Sequence, residues 1–280
     1  MTGHMLIFGM GYSAQVLARK LRARGWQVEG TGRAGTIAFD DYAAIDAALD
    51  RASHVLSSVP PARDGSDPVL DHHRAALRDW PGRWLGYLSS TGVYGDTGGA
   101  WVDESAPLGG GRRTARVVAD LGWQALRGDV RVFRLPGIYG PGRNMLDRLQ
   151  AGAAHRIDQP GQVFSRIHVE DIAGGVIAAL DAPEGVYNLA DDEPTSQNAV
   201  VEEAARLLGI APPPLLRADE AGLSPMARAF YAENRRVSAG KARRVLGWRP
   251  AYPTFREGLR ALAALSPEAE VEAPLLAAAS

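Results

Sequence analysis

Apolar positions along this chain fall into short runs that alternate with stretches of helical spacing. Met5-Leu6-Ile7-Phe8 is an apolar run closed by Gly9, and Val16, Leu17 and Leu21 then share one helical face. Gly25 ends that helix, and Trp26 to Thr31 reads as a second strand. Thr36 to Phe39 predicts a third short strand ending at Asp40-Asp41. A helix follows from Tyr42 to Arg51, with Ile45 and Leu49 on its inner face. His54 to Val59 is a fourth strand stopped by Pro60-Pro61, and Pro68 opens a helix reaching about Trp80. Arg83 to Leu88 is a fifth strand. Strands and helices that alternate in this way build a parallel, doubly wound α/β sheet.

The later pattern is less regular. A helix from Asn144 gives way to a glycine- and proline-containing excursion, and Gln162 to Val169 reads as extended. Ile172 to Leu180 is helical, Tyr187 to Ala190 a strand, and Thr195 or Ser196 caps a helix from Ala199 to Leu208 that Gly209 stops. Ser238 to Trp248 predicts a capped basic helix, and Phe255 to Leu265 a last one. The pattern divides the chain into a Rossmann-like α/β domain, 1–143 with 163–182, and a smaller C-terminal domain, 144–162 with 183–266. Residues 267–280 are acidic and alanine-rich, a composition that favours disorder.

Composition narrows the classes. The 280 residues are 46% hydrophobic and 22% charged, enough apolar material for a large core, and the net charge of −1 argues against nucleic-acid or membrane-surface binding. The absence of cysteine removes disulfides, thiolate metal sites and a thiol nucleophile. No run approaches the ~20 apolar residues of a membrane span, and a core strand beginning near residue 4 leaves no room for a signal peptide. The expected location is the cytoplasm.

The first chemistry lies where the first strand ends. Gly9-Met10-Gly11-Tyr12-Ser13-Ala14 matches G-x-G-x-x-A between a strand and a helix, the arrangement of a dinucleotide site. Gly9 allows the sharp turn, Gly11 lets the backbone approach a diphosphate at the positive end of the helix dipole, and Ala14 lets helix and strand pack closely. Arg33 follows the second strand, where an arginine pairs with the 2′-phosphate of NADP; NADP is therefore expected over NAD. Ser58, Val59 and Pro60, at the end of the fourth strand, are expected to line the same cleft. Ser89-Ser90-Thr91 closes the fifth strand with three hydroxyls, at the sheet edge where open α/β sheets bind ligands. His72 and His73 lack a further ligand at metal spacing, and His168, Glu170 and Asp171 read as strand-end and helix-start residues, so no metal site is expected.

These pieces, with Arg134-Leu135-Pro136-Gly137-Ile138-Tyr139-Gly140-Pro141-Gly142, Ile167 to Ala173, Tyr187-Asn188-Leu189 and Leu246 to Pro250, resemble the NAD(P)-dependent epimerase/dehydratase group of extended or atypical short-chain dehydrogenases/reductases. The resemblance runs over nearly the whole chain and implies that the first domain, 1–143 with 163–182, binds a dinucleotide and that the second, 144–162 with 183–266, is a substrate-binding cap. It implies a catalytic role for Ser90, an adenine contact for Asp40, a place beside the nicotinamide for Pro136 and Ile138, and a homodimer through helices flanking the sheet. The substrate it implies is a small molecule, nucleotide- or sugar-linked in many members.

One departure matters. The family carries Tyr-x-x-x-Lys on the helix after the fifth strand, whereas here the corresponding positions are Arg112 and Arg116. Arginine stays protonated and cannot shuttle a proton. Arg116 can still hold a ribose or phosphate, and Arg112 an anionic substrate. Tyr94 and Tyr139 lie in loops at the cofactor end of the sheet; Tyr94 is the better candidate for the proton, with Thr91 and Tyr139 as substrate contacts. Two functions follow: an oxidoreductase or epimerase/dehydratase-like enzyme, or an NADP-binding sensor or scaffold without catalysis.

Overall fold

The computed structural model describes residues 2–62, 64–109, 114–222, 228 and 231–265. Its centre is a six-stranded parallel sheet of β1 (His4–Phe8), β2 (Gln27–Gly30), β3 (His54–Ser57), β4 (Trp84–Ser90), β6 (Val130–Leu135) and β10 (Gly185–Asn188). Across the sheet the order is β2-β1-β3-β4-β6-β10, with the two-residue strands β5 (Trp101–Val102) and β8 (Arg156–Ile157) outside it. The order in which strands are added reverses between β1 and β3, and a cleft opens there at the carboxyl ends of the strands.

Period-two patterning assigns each strand residue to a layer. On β1, Met5 and Ile7 enter the core shared with α1 (Tyr12–Arg22) and α6 (Val169–Ala178). Leu6 and Phe8 face the opposite core under α2 (Tyr42–Arg51), α3 (Pro68–Asp79) and α4 (Thr114–Gln124). Burial on both faces is what the continuous apolar runs encode. A third, smaller core joins α5 (Met145–Gln150), α7 (Gln197–Leu208) and α9 (Phe255–Leu265) around Met145, Leu146, Val201 and Leu259. A further short helix, α8 (Gly240–Leu246), precedes α9.

Side-chain caps fix several boundaries. Asp67 accepts from the amides of Val69 and Leu70 at 3.0 and 3.1 Å to start α3. Ser196 accepts from Ala199 N to start α7, and Gly209, at φ 65°, ends it in the left-handed region. The third strand expected at Thr36–Phe39 does not form. Gly32 N–H donates to Ile37 O, and the amides of Thr36 and Ile37 both turn back to Gly30 O, leaving a tight loop with one bridge, Thr31 to Ile37. The extended segment at 162–169 is ordered as a strand only over β9 (Arg166–His168), which pairs with β7 (Gly137–Tyr139). Arg112 and residues 267–280, the sites of two sequence expectations, lie outside the described residues.

Among the described residues no helix is long and apolar enough to cross a membrane.

Candidate functional site

A cleft of about 410 Å³ opens at the switch point. Its floor begins at the glycine turn. Gly9 has φ 82°, and a Cβ there would lie 2.8 Å from Val59 Cγ2, so only glycine makes this turn. Gly9 N–H donates to Thr31 Oγ1 at 3.0 Å and Met10 N–H to Thr31 O at 2.8 Å, which locks the turn to the end of β2.

Gly11 behaves differently. It caps α1 with no side-chain hydrogen bond, and a Cβ built on it would meet nothing within 4 Å. The helix start is therefore open to the cleft, with amide donors facing space that a side chain would fill. That is an observation a dinucleotide diphosphate fits. Gly11, Tyr12, Ser13, Ser58 and Pro60 line this end. Met10, Ala14 and Val59, expected at the site, support it from behind: Met10 and Ala14 are buried in the α1-side core and Val59 packs on the opposite one. Arg33 and Asp40 are exposed on the loop after β2 and do not line the cleft itself. Arg33 sits in the turn whose Gly32 comes within 3.9 Å of Met10 N, measured from an added Cβ.

The other end carries the hydroxyls. Ser89, Ser90 and Thr91 all line the cleft, with Arg116, Pro136 and Ile138. Ser90 Oγ accepts from Gly92 N at 3.1 Å, so its own proton is free to donate. Ser89 is the reverse case: its Oγ donates to Asp120 Oδ2 at 2.6 Å, leaving only lone pairs for the cleft. Asp120 is fully buried and accepts two bonds from Arg134, at 2.8 and 3.0 Å. Neighbouring serines thus present opposite hydrogen-bonding character. Sequence reading found Ser90 by its place at the strand end and missed the role of Ser89, because Asp120 is brought to it by α4 packing.

Two tyrosine assignments are corrected. Tyr94 does not reach the cleft lining; its hydroxyl donates to Asn188 Oδ1 at 2.8 Å and accepts from Arg134 Nη1 at 3.0 Å. Burial raises its pKa further from neutrality, the opposite of what a proton donor needs. Tyr139 turns from the cleft into the third core, edge-on to His168, and its buried hydroxyl has no hydrogen-bond partner among the described residues. Tyr94 ends the short 3-10 turn Thr91–Tyr94 and Tyr139 ends β7, and both side chains point into packed interior away from the cleft.

The remaining wall comes from the extended segment at 162–169 and from the stretch around Glu233 to Val237, neither of which the sequence placed at the site. Val163, Phe164, Ser165, Glu233, Arg235 and Val237 close it. Glu233 Oε2 accepts both guanidinium nitrogens of Arg235 at 3.0 Å, and Arg235 also donates to Gly95 O. Arg235 is thereby held by its own chain, its guanidinium engaged by Glu233 and Gly95. His168 and its acidic neighbours are structural: His168 accepts from Glu170 N, Glu170 pairs with Arg19 and Lys20, and Asp171 accepts from Ala251 and Tyr252 amides. Among the described residues no group of three or more such side chains gathers as metal ligands.

Comparison with known proteins extends this picture. No protein-family model matches the chain. It is 31% identical over 238 residues to Protein YeeZ of Escherichia coli K12, covering 74% of this chain and 84% of that one. It is 30% identical over 299 residues to the 3-diazoavenalumate denitrifying reductase of a Streptomyces species, covering 89% and 96%. A solved structure of a functionally unknown conserved protein from Silicibacter pomeroyi shares 45% identity with a TM-score of 0.84, covering 94% and 98%. The human epimerase family protein SDR39U1, solved with NADPH, shares the fold at TM-score 0.76 and 19% identity, covering 94% and 100%.

Proposed function

The chain belongs to the NAD(P)-dependent epimerase/dehydratase family of short-chain dehydrogenases/reductases, in its atypical branch, and from that membership we propose that it is an NADP-dependent reductase of a small molecule. The observation that carries the reading is the open, side-chain-free start of α1 at the switch-point cleft, with Ser90 at its far end.

The diphosphate is held by the amides of Tyr12 and Ser13, approached across the bare Gly11, with Ser58 and Pro60 along the edge. Arg33 takes the 2′-phosphate and Asp40 the adenine, both from the loop that borders the glycine turn. Pro136 and Ile138 flank the nicotinamide, whose bound form supplies hydride. Ser90 donates to a substrate oxygen, Ser89 accepts from a substrate donor, Thr91 lies beside them, and Arg116 sets a fixed positive charge on the same wall. Structural relatives solved with NADPH or with NAD support a nicotinamide cofactor, and the choice of NADP rests on Arg33.

The missing tyrosine shapes the chemistry. Among the described cleft residues the ionisable groups are Tyr12, Arg116, Arg143, Glu233 and Arg235. The arginines do not give up protons, Glu233 is engaged by Arg235, and the Tyr12 proton is bonded to Pro141 O at 3.0 Å. Substrates that accept hydride without a side-chain acid, or take their proton from water, suit this wall. The Streptomyces relative, named as a reductase acting on a diazo compound, is in keeping with that class. The same lack of an acid favours the second reading, an NADP-binding sensor.

The test pairs binding with turnover. NADPH binds more tightly than NADH, and Arg33→Ala removes the difference. A panel of activated electrophiles consumes NADPH, and Ser90→Ala slows consumption of a carbonyl acceptor by roughly a hundredfold. Binding without consumption of any acceptor selects the sensor; undiminished turnover by Ser90→Ala refutes the assignment of Ser90.

A further inference from the structure

Between β7 and α5 the chain makes a tight loop, Gly140 to Arg143, that hangs over the start of α1. Gly140 N–H donates to Arg143 O at 3.1 Å and Arg143 N–H returns to Gly140 O at 3.0 Å, closing the loop on itself. Positive φ values at Gly140 (156°) and Gly142 (68°) make the closure accessible to glycine and strained for other residues. Three contacts then fix its position. Asn144 Nδ2 donates to Gly140 O at 3.1 Å while Asn144 Oδ1 caps α5 through Asp147 N at 3.0 Å. Tyr12, the first residue of α1, donates its hydroxyl to Pro141 O at 3.0 Å. A Cβ on Gly140 would fall 2.6 Å from that hydroxyl, so the loop sits directly on it.

The loop delivers Arg143 to the cleft. Its guanidinium carbon lies 6.0 Å from the centre of the Tyr12 ring, and the residue lines the cleft together with Gly11, Tyr12 and Ser13. Neighbouring carboxylates are engaged elsewhere. Asp147 accepts from Asn144 Nδ2 at 2.8 Å, and Glu170 pairs with Arg19 and Lys20. Among the described residues Arg143 forms no ion pair, whereas Arg235 of the same cleft is paired with Glu233. A guanidinium fork held against open amide donors is complementary to an anion that has oxygens on two sides.

We infer that Arg143 is a clamp for the dinucleotide diphosphate, closing over it opposite the amides of Tyr12 and Ser13, since the Gly11 amide is already donated to Gly9 O at 2.7 Å. The inference rests on the dinucleotide reading of the cleft and adds to it a residue outside the glycine turn. Recognition is thereby divided. Arg33, at one end, reads the 2′-phosphate that separates NADP from NAD; Arg143 reads the diphosphate common to both. Anchoring the loop to Tyr12 also makes the glycine turn and the clamp one unit, because moving either displaces the Tyr12–Pro141 bond.

Calorimetric titration of the full chain with NADPH, NADH and 2′-AMP, which keeps the 2′-phosphate and lacks the diphosphate, separates the two roles without reference to turnover. Arg143→Gln weakens NADPH and NADH by the same factor, roughly ten- to a hundredfold, and changes 2′-AMP affinity by less than about twofold. Arg33→Ala has the complementary pattern, weakening NADPH and 2′-AMP and sparing NADH. Arg143→Lys recovers part of the loss, since it keeps the charge and loses the fork. Thermal unfolding of ligand-free Arg143→Gln matches the parent, which separates a binding defect from a folding one. Dinucleotide affinities unchanged in Arg143→Gln overturn the clamp alone, as does an equal loss of 2′-AMP binding. A parent protein that binds neither dinucleotide overturns the proposed cofactor and the clamp with it.

Discussion

Replacing Asp120 by alanine tests the buried pair that sets the hydrogen-bonding character of Ser89. Asp120 is fully buried and its carboxylate accepts four bonds: from Ser89 Oγ at 2.6 Å, Gln124 Nε2 at 2.6 Å, and Arg134 Nε and Nη2 at 3.0 and 2.8 Å. Arg134 is 2% exposed. Without the carboxylate its guanidinium keeps only the Tyr94 hydroxyl at 3.0 Å and the Tyr94 ring, 5.0 Å from its carbon. An uncompensated buried cation costs about 3 to 5 kcal/mol, a large share of the ~5–15 kcal/mol that holds a domain folded. With a urea slope near ~3 kcal/mol/M, suited to a chain of this length, the unfolding midpoint falls by about 1 to 2 M. Tryptophan fluorescence reports the transition, since Trp84 and Trp123 are fully buried. Asp120→Ala/Arg134→Met removes both charges and loses less stability than Asp120→Ala alone. A single-variant loss under about 1 kcal/mol, or a double variant less stable than the single, refutes this account of the pair.

Three further outcomes follow from the geometry. Gly11→Ala leaves stability within about 1 kcal/mol, because its φ of −82° suits alanine and the added Cβ touches nothing, yet it weakens dinucleotide binding at least roughly tenfold; unchanged NADPH affinity by calorimetry contradicts the cleft assignment. Tyr139→Phe removes a buried hydroxyl without a partner and leaves stability equal or higher by about 1 kcal/mol, with turnover unaffected; a clear fall in melting temperature or activity restores Tyr139 to a functional role. Burial, with Arg83 second, holds His54 down to a pKa of about 4, and burial does the same for His168 against the opposing charge of Glu170. The unfolded chain protonates them near pH 6.5, so their contribution is complete above that pH and is lost as pH falls toward 4, by on the order of 3 kcal/mol each. Urea midpoints measured at pH 7 and 4.5 fall accordingly, and His54→Gln/His168→Gln reduces the drop; an equal drop in the variant rules out these residues as its source.

Local sequence determined the elements and the cofactor end of the site. Apolar runs, glycine stops and capping residues are short-range signals, so α2 and α9 begin and end where periodicity places them, and Gly9 and Gly11 announce the turn through backbone chemistry alone. The segment at Thr36 to Phe39 has strand-like residues, but its amides found Gly30 O before any strand edge, a choice between partners that composition does not encode. The far wall of the cleft was decided by tertiary packing. The sequence places Tyr94 and Tyr139 near the carboxyl ends of the strands, and only the fold shows that Asn188 and Arg134 claim the first and the core under α9 the second. Ser89 acquires its acceptor character from Asp120, thirty-one positions away, and Arg143 stands over α1 because Tyr12, more than a hundred positions earlier, holds its loop. Chemistry carried by one residue and its neighbours can be read from the sequence. Chemistry that depends on which distant group satisfies a buried donor or acceptor exists only once the chain has folded.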